Sequence, residues 1–330
     1  MVEVDVFRVA MPFLDILFAA ARGPKIAPFQ SAQKGRLHMT TIKQAALVAA
    51  GILCVLVFPT GVMCAGAPTA SSEAAYKAAT DTDPHRPLTE YQQKMRAQKI
   101  QAAASELSQT GSGTSTTATI NTADGSAAQA AVAATSSSTS TGASLTRNQN
   151  PQETSYWCGP AAVREALGQL GKSFAQALLA AELRTTTSGT GWSAGGTSPT
   201  GFPVPDVMNA HQSKNYYLPE SVPGAPSDSD VSNYKAFLMR DIGTVRAPVI
   251  GDAWTSASSE FRLIGHPPDR TIFHWFDIYG YRTSGGTTYT KYEDSVHNAA
   301  TVSWHDAVPA YSELPSHQIA HIVGGRGYVW

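Results

Sequence analysis

The sequence predicts an α+β domain over its C-terminal part, with helices first and an antiparallel sheet after them. Three observations carry that prediction. Apolar residues recur at helical spacing over residues 157–170, and further helical segments follow before residue 243. From Pro248 onward, runs of β-branched and aromatic residues bounded by turn residues take over. The two kinds of segment do not alternate, which argues against βαβ units.

The first helix is expected over 157–170, where Ala161, Ala162, Ala166, Leu167 and Leu170 supply the apolar face. Pro160 suits its first turn and Gly171 its exit. Residues 174–183, 205–211 and 231–242 read as three more helices, and 184–203 as a Gly/Ser/Thr loop. Strands are expected over 248–254, 272–281, 287–292, 300–304 and 319–323.

The part before this domain has a different composition. Residues 45–58 are an unbroken run of apolar residues and Gly, with Lys43 before it and small residues at 65–67 after it. A basic start, an apolar stretch and a small-residue exit form a secretory signal peptide. Pro59-Thr60-Gly61 interrupts the run short of the roughly 20 apolar residues that a membrane span needs. Export to the outside of the cell is therefore expected, with anchoring through an uncleaved segment as the alternative. Met39 is well placed as the true start, which makes residues 1–38 a candidate extension. Residues 1–67 are thus assigned to extension plus signal, 68–147 to a tether and 148–330 to the folded domain. Within the tether a helix is expected over 90–107. Residues 111–144 are almost entirely Ala, Ser, Thr and Gly, with too few large apolar side chains to offset the entropy of ordering.

Charge excludes one class of partner. Of the 330 residues 15% are charged, and the formal net charge is −1. From Asn148 onward 12 Lys and Arg stand against 16 Asp and Glu. No basic footprint for nucleic acid is present, and a monomer acting on a peptide or protein is expected, without stable membrane insertion once the signal is removed.

Three cysteines occur, Cys54, Cys64 and Cys158, and the first two leave with a cleaved signal. A lone exported thiol is an oxidation liability, which points to a reactive role. The surrounding residues support that role. Cys158 opens a helix, where peptide N–H groups and the positive end of the helix dipole favour thiolate. Gln152, six residues upstream, is within reach to donate its side-chain amide to a developing oxyanion. Gly159 is read as leaving room for substrate. A base is found in His274, at the start of the apolar strand Phe273-His274-Trp275-Phe276-Asp277. Asp294 follows the next strand. A hairpin of the two strands brings the start of the first near the end of the second, and alternation sends Glu293 to the other face. Asp294 is therefore the expected orienter of the imidazole, with His297 and His305 as alternatives.

Gln152, then Cys158-Gly159-Pro160, then His274-Trp275 running into Tyr279-Gly280-Tyr281, then Asp294, resembles the papain-clan cysteine peptidases of the C-thirty-nine-like group. That group includes the leader-peptide peptidases of bacteriocin exporters. The resemblance covers residues 148–330. It implies a papain-like fold and the roles of oxyanion donor, nucleophile, base and orienter for Gln152, Cys158, His274 and Asp294. Where many members have Asp-Pro, this chain has Asp294-Ser295, and transporter segments are missing from its 330 residues. A free-standing extracellular peptidase is therefore expected, with no metal and no organic cofactor. A cell-wall amidase or peptidase of the NlpC type and a non-catalytic binding module are the alternatives.

Two further motifs carry less. Gly191-Trp192-Ser193-Ala194-Gly195 fits G-x-S-x-G but lacks an apolar strand before it and a helix after it. His317 and His321 have the spacing of a zinc helix, but Gln318 stands where the general-base Glu would be.

Overall fold

Thirteen residues, Ile272–Ser284, are rich in the β-branched and aromatic types that suit a pleated surface, and they form the central strand of the molecule. The computed structural model describes residues 77, 86–110, 115–121, 127–133, 141–194 and 198–330. All of these belong to one compact unit, Met63–Trp330. The expected signal segment and the candidate start at Met39 lie outside the described residues.

In chain order the elements are helix α1 (Glu90–Thr110), strands β1 (Ser115–Asn121), β2 (Ala127–Ala133) and β3 (Thr141–Ser144), and helices α2 (Cys158–Gln169), α3 (Gln176–Glu182) and α4 (Pro203–His211). Then come β4 (Pro219–Ser221), α5 (Asp228–Leu238) with a π turn over Met239–Val245, β5 (Val249–Thr255), β6 (Ile272–Ser284) and β7 (Thr287–Glu293). The chain ends with β8 (Tyr311–Pro315), α6 (Ser316–Ile322) and β9 (Gly327–Val329). One antiparallel sheet runs in the order β4, β9, β5, β6, β7, β8, with β3 also on β6. Helices and an antiparallel sheet, segregated along the chain, make the domain α+β.

The sheet buries both faces. On one, Phe276, Ile278 and Tyr292 pack with Tyr234 and Phe237 of α5 and Ile319 of α6. On the other, Ile250 and Trp275 pack with Ala162 and Leu167 of α2 and Met208 of α4. Alternation along β6 divides its residues between the two layers. Gly285 and Gly286 join β6 to β7 with φ of +58° and +78°. A two-residue turn with both φ positive matches the twist of the strands, and glycine adopts it without steric cost.

The β6–β7 ladder contains one irregularity. From the turn inward, Ser284 pairs with Thr287 and Gly280 with Lys291, but Ile278 then pairs with Tyr292. Tyr279 is the extra residue of a bulge, and its carbonyl accepts from Leu145 N at 2.7 Å. Beyond the bulge Asp277 pairs with Glu293. These two acids share a face, and Asp294 falls on the opposite one, with Phe276 and His274.

The secondary structure differs from the sequence expectations in two places. Residues 319–323 are not a strand: Pro315 ends β8, and Ile319 and Ile322 turn into the core on α6. The terminal strand is β9 instead, paired with β4 and β5. Residues 300–304 form turns, with Val302 N bonded to Ala299 O at 2.8 Å and His305 N to Val302 O at 3.1 Å. Val302 joins a small cluster with Val296, Ala299 and Val308. Of residues 68–147, expected as a tether with a helix over 90–107, the described part carries α1, β1, β2 and β3. Lys99 on α1 reaches Asp241 at 3.1 Å, and Arg96 reaches Glu220 at 2.8 Å. β1 and β2 pair with each other. β3 completes the sheet because β6 outruns β5: β5 pairs only as far as Ile278, and β3 takes up the edge from Gly280 to Thr283. Arg246 fastens it through Ser144 O at 2.7 Å.

Candidate active site

The site forms where the start of α2, the start of β6 and the loop after β7 converge. Cys158 is the first residue of α2, and no side chain caps that helix end. The N–H groups of its first turn are therefore not claimed by a cap, and the positive end of the helix lies at the sulfur. Gly159 does not open space for substrate, contrary to expectation. A Cβ there would collide with the Thr190 side chain. Thr190 in turn accepts the indole N–H of Trp275 on its carbonyl at 2.8 Å, and Trp275 stacks on Trp192. Glycine at 159 lets α2 settle onto this wall.

His274 is buried near the start of β6. Its Nε2 lies 2.9 Å from Asp294 Oδ1. Cys158 lines the same cleft, and its side chain is the other group beside Asp294 that favours the charged imidazole; with Nε2 on Asp294, Nδ1 is the nitrogen left for the sulfur. Burial alone would push the imidazole pKa down. The charge and hydrogen bond of Asp294, with the hydrogen bond and charge of Cys158, outweigh burial and raise it to about 10. For Asp294 burial works upward, but the charges of His274 and His266 and their hydrogen bonds win, and the carboxyl is held well below its usual range. An ionised carboxylate only accepts, so Nε2 of His274 carries the proton.

Gln152 also faces this site. Its backbone N donates to Ser295 O at 2.8 Å, and its Oε1 accepts from Ser295 Oγ at 3.3 Å. Its Nε2 donates to Thr154 O at 2.7 Å, which leaves the second amide hydrogen uncommitted. Gln152, Cys158 and His274 line one cleft of about 240 Å³, with Phe273, Val302 and Trp304 among its apolar walls. Among the described residues, none from the segment before Gln152 lines this cleft.

The four residues singled out in the sequence thus come together. The alternative orienters do not join them: His297 Nδ1 turns to Val308 O at 2.7 Å, and His305 pairs with Asp306. Ser193 sits in a loop rather than at a strand-to-helix elbow. His317 and His321 both pack on Phe261.

One residue of the site is invisible to sequence patterning. His266 Nε2 lies 2.9 Å from Asp294 Oδ2, so a single buried carboxylate is held between two imidazoles. His266 follows Gly265 and precedes Pro267-Pro268. Those residues signal a turn, but nothing local ties the turn to Asp294. Burial pushes the His266 pKa down, more than Asp294 lifts it, so this ring is the neutral partner. Ligand atoms of His266, His274 and Asp294 lie within 4.8 Å of one another, the closest approach to a metal-ligand set among the described residues. Their mutual hydrogen bonds already satisfy both imidazole N–H groups and the carboxylate, and Cys158 lies on the other side of the His274 ring.

A second layer of acids lies behind α2. Glu165, Asp277 and Glu293 are fully buried. Gln169 Nε2 donates to both Asp277 and Glu293, Asn148 N to Glu293 at 2.8 Å, and Asn150 N to Glu165 at 2.8 Å. Asp277 and Glu293 act on each other through their charges and share the Gln169 amide. Burial, and for Glu165 and Asp277 the Glu293 charge, raise all three pKa values, so the cluster holds protons that isolated carboxyls would have lost.

No protein-family model and no curated protein matches the chain. Among solved structures it is similar to the digestive procathepsin L 3 of the Tenebrio molitor larval midgut. The TM-score is 0.33 at 9% identity, over 80% of this chain and 99% of that one. Likeness at that level does not define a fold, and the geometry around Cys158 stands by itself.

Proposed function

We propose that the chain is an exported, monomeric cysteine peptidase of papain-like type, related to the C-thirty-nine-like group, that hydrolyses peptide bonds in a peptide or protein. One observation carries this reading: the buried His274 ring is bonded to Asp294 at 2.9 Å and shares one small cleft with Cys158, whose side chain acts on it. That is the nucleophile–base–orienter relation that sulfur catalysis requires. The uncapped helix start at Cys158 and the Gln152 amide in the same cleft support it further.

In the proposed reaction the Cys158 thiolate attacks the carbonyl carbon. The carbonyl oxygen becomes an oxyanion, held by the Cys158 N–H and the Gln152 amide. The C–N bond breaks as His274 gives its proton to the departing amine, leaving a thioester and a neutral imidazole. A water then loses its proton to His274 and attacks the thioester. The C–S bond breaks, the acid product leaves, and thiolate and imidazolium are restored. Asp294 keeps the ring in orientation through both steps.

The test is a peptide library offered to wild type and to Cys158→Ala. Wild type should cleave, and the variant should lose cleavage while keeping its fold by circular dichroism. Undiminished cleavage in the variant overturns the mechanism. Turnover of purified peptidoglycan alone would redirect the reading to a cell-wall amidase of the NlpC type. If Cys158 alkylates only as an ordinary thiol, near pH 8.5, the domain is a non-catalytic binding module.

A further inference from the structure

The Asp294 carboxylate receives three donors. His274 Nε2 and Val296 N reach Oδ1, both at 2.9 Å, and His266 Nε2 reaches Oδ2 at 2.9 Å. The rotation of an aspartate carboxyl about its terminal bond is soft. With only Oδ1 engaged, Oδ2 would be a buried acceptor with nothing to hold it, and the group would be driven to turn until it found a partner. His266 closes off that freedom.

His266 is itself held. Its ring packs against Trp304 at 4.8 Å and against His274 at 5.1 Å, and its backbone N bonds Leu263 O at 3.2 Å. Gly265, at φ +83°, passes so close to Ala307 and Val308 that a Cβ would not fit. The charged and titratable groups that act on His266 are Asp294, His274 and Arg262. Burial disfavours a charge on His266 more than Asp294 favours one, so the imidazolium is His274. His266 is left as a neutral donor.

We propose that His266 is a positioning residue for the Cys158–His274 pair: its Nε2–H locks the Asp294 carboxylate so that the opposite oxygen stays on His274. The proposal rests on the reading of Cys158 and His274 as nucleophile and base. It requires His266 to be the Nε2–H tautomer, and it assigns the residue no contact with substrate.

The test uses iodoacetamide on the full chain and needs no substrate. The rate of Cys158 alkylation is followed from pH 4 to 10 in wild type, His266→Leu and His266→Gln. Wild type should react well below the ordinary thiol range. His266→Leu should lose roughly tenfold in rate at about pH 6, the lower end of what loss of a supporting hydrogen bond to a reactive group costs. His266→Gln, whose amide N–H falls near the position of Nε2, should stay within about twofold of wild type. An unchanged profile in a folded His266→Leu overturns the proposal and leaves the nucleophile–base reading intact. An ordinary thiol profile in wild type overturns that reading instead. A measurement on wild type covers the case in which His266→Leu does not fold. Long-range proton–nitrogen NMR of the imidazoles should report the Nε2–H tautomer for His266, and the Nδ1–H tautomer would overturn the proposal.

Discussion

His274 Nε2 and Asp294 Oδ1 stand 2.9 Å apart, both buried, on a diagonal across the β6–β7 hairpin. The bulge at Tyr279 is responsible for this pairing. In an unbulged ladder continued from the turn, Asp294 would lie opposite Asp277, on the α2 face, and Glu293 would share the His274 face. One extra residue in β6 exchanges the two acids.

Asp294→Asn should therefore be severe and should not be rescued by Glu293. An amide cannot accept from His266 and His274 together, because one of its two ends is a donor. Peptide cleavage should fall on the order of 10⁴-fold in kcat, as for the orienting aspartate of a comparable triad, with KM nearly unchanged. Equal losses through KM alone would show that Asp294 only shapes the cleft.

Gln152→Ala should lower kcat by roughly 10²-fold, the usual cost of one oxyanion donor. Alkylation of Cys158 by iodoacetamide, which passes through no oxyanion, should remain within about threefold of wild type. A parallel loss in both assays would mean that Gln152 acts by holding Ser295 and the Asp294 loop, through the bonds it makes there.

The acids behind α2 predict the pH dependence of stability. Glu165, Asp277 and Glu293 have folded-state pKa values above those of the unfolded chain. The native state then binds more protons, so stability falls as pH rises from the ordinary carboxylate range, about 4, toward the raised values. The paired groups shift the other limits. Asp294 is depressed, so its contribution is lost as pH falls. His274 is raised to about 10, so its contribution is complete below about 6.5 and is lost as pH climbs through about 10. Asp277→Asn should flatten the decline of Tm between pH 5 and pH 8. A decline as steep as in wild type would show that Asp277 does not share protons in the folded state.

Gly159→Ala should destabilise by about 1–3 kcal/mol, the cost of an extra methyl in a filled space. The collision is with the Thr190 side chain, its Cβ included, so Gly159→Ala combined with Thr190→Gly should lose less than the sum of the two single variants in urea denaturation. Additive losses in the double variant would place the strain elsewhere.

What the sequence determines by itself is local. The helix opening at Cys158, the strands on either side of Gly285-Gly286, and the α+β order of the domain follow from periodicity and turn residues, which act over a few neighbours. His274 and Asp294 are legible as candidate partners because a tight hairpin joins their two strands, but the bulge at Tyr279, which no local pattern announces, is what puts Asp294 rather than Glu293 on the His274 face. The rest depends on contacts between distant parts of the chain. Residues 319–323 have strand-like side chains, yet Ile319 and Ile322 are drawn onto a helix by the core around Tyr234 and Phe237. β3 becomes ordered because β6 leaves an open edge for it. Only the tertiary structure brings His266 to Asp294, with 27 residues between them. A loop histidine between Gly and Pro has no periodic pattern, and its partner is set by where the whole sheet carries that loop. The same holds for the buried acids at 165, 277 and 293: each reads as an ordinary polar residue until α2 packs against β6 and removes all three from water.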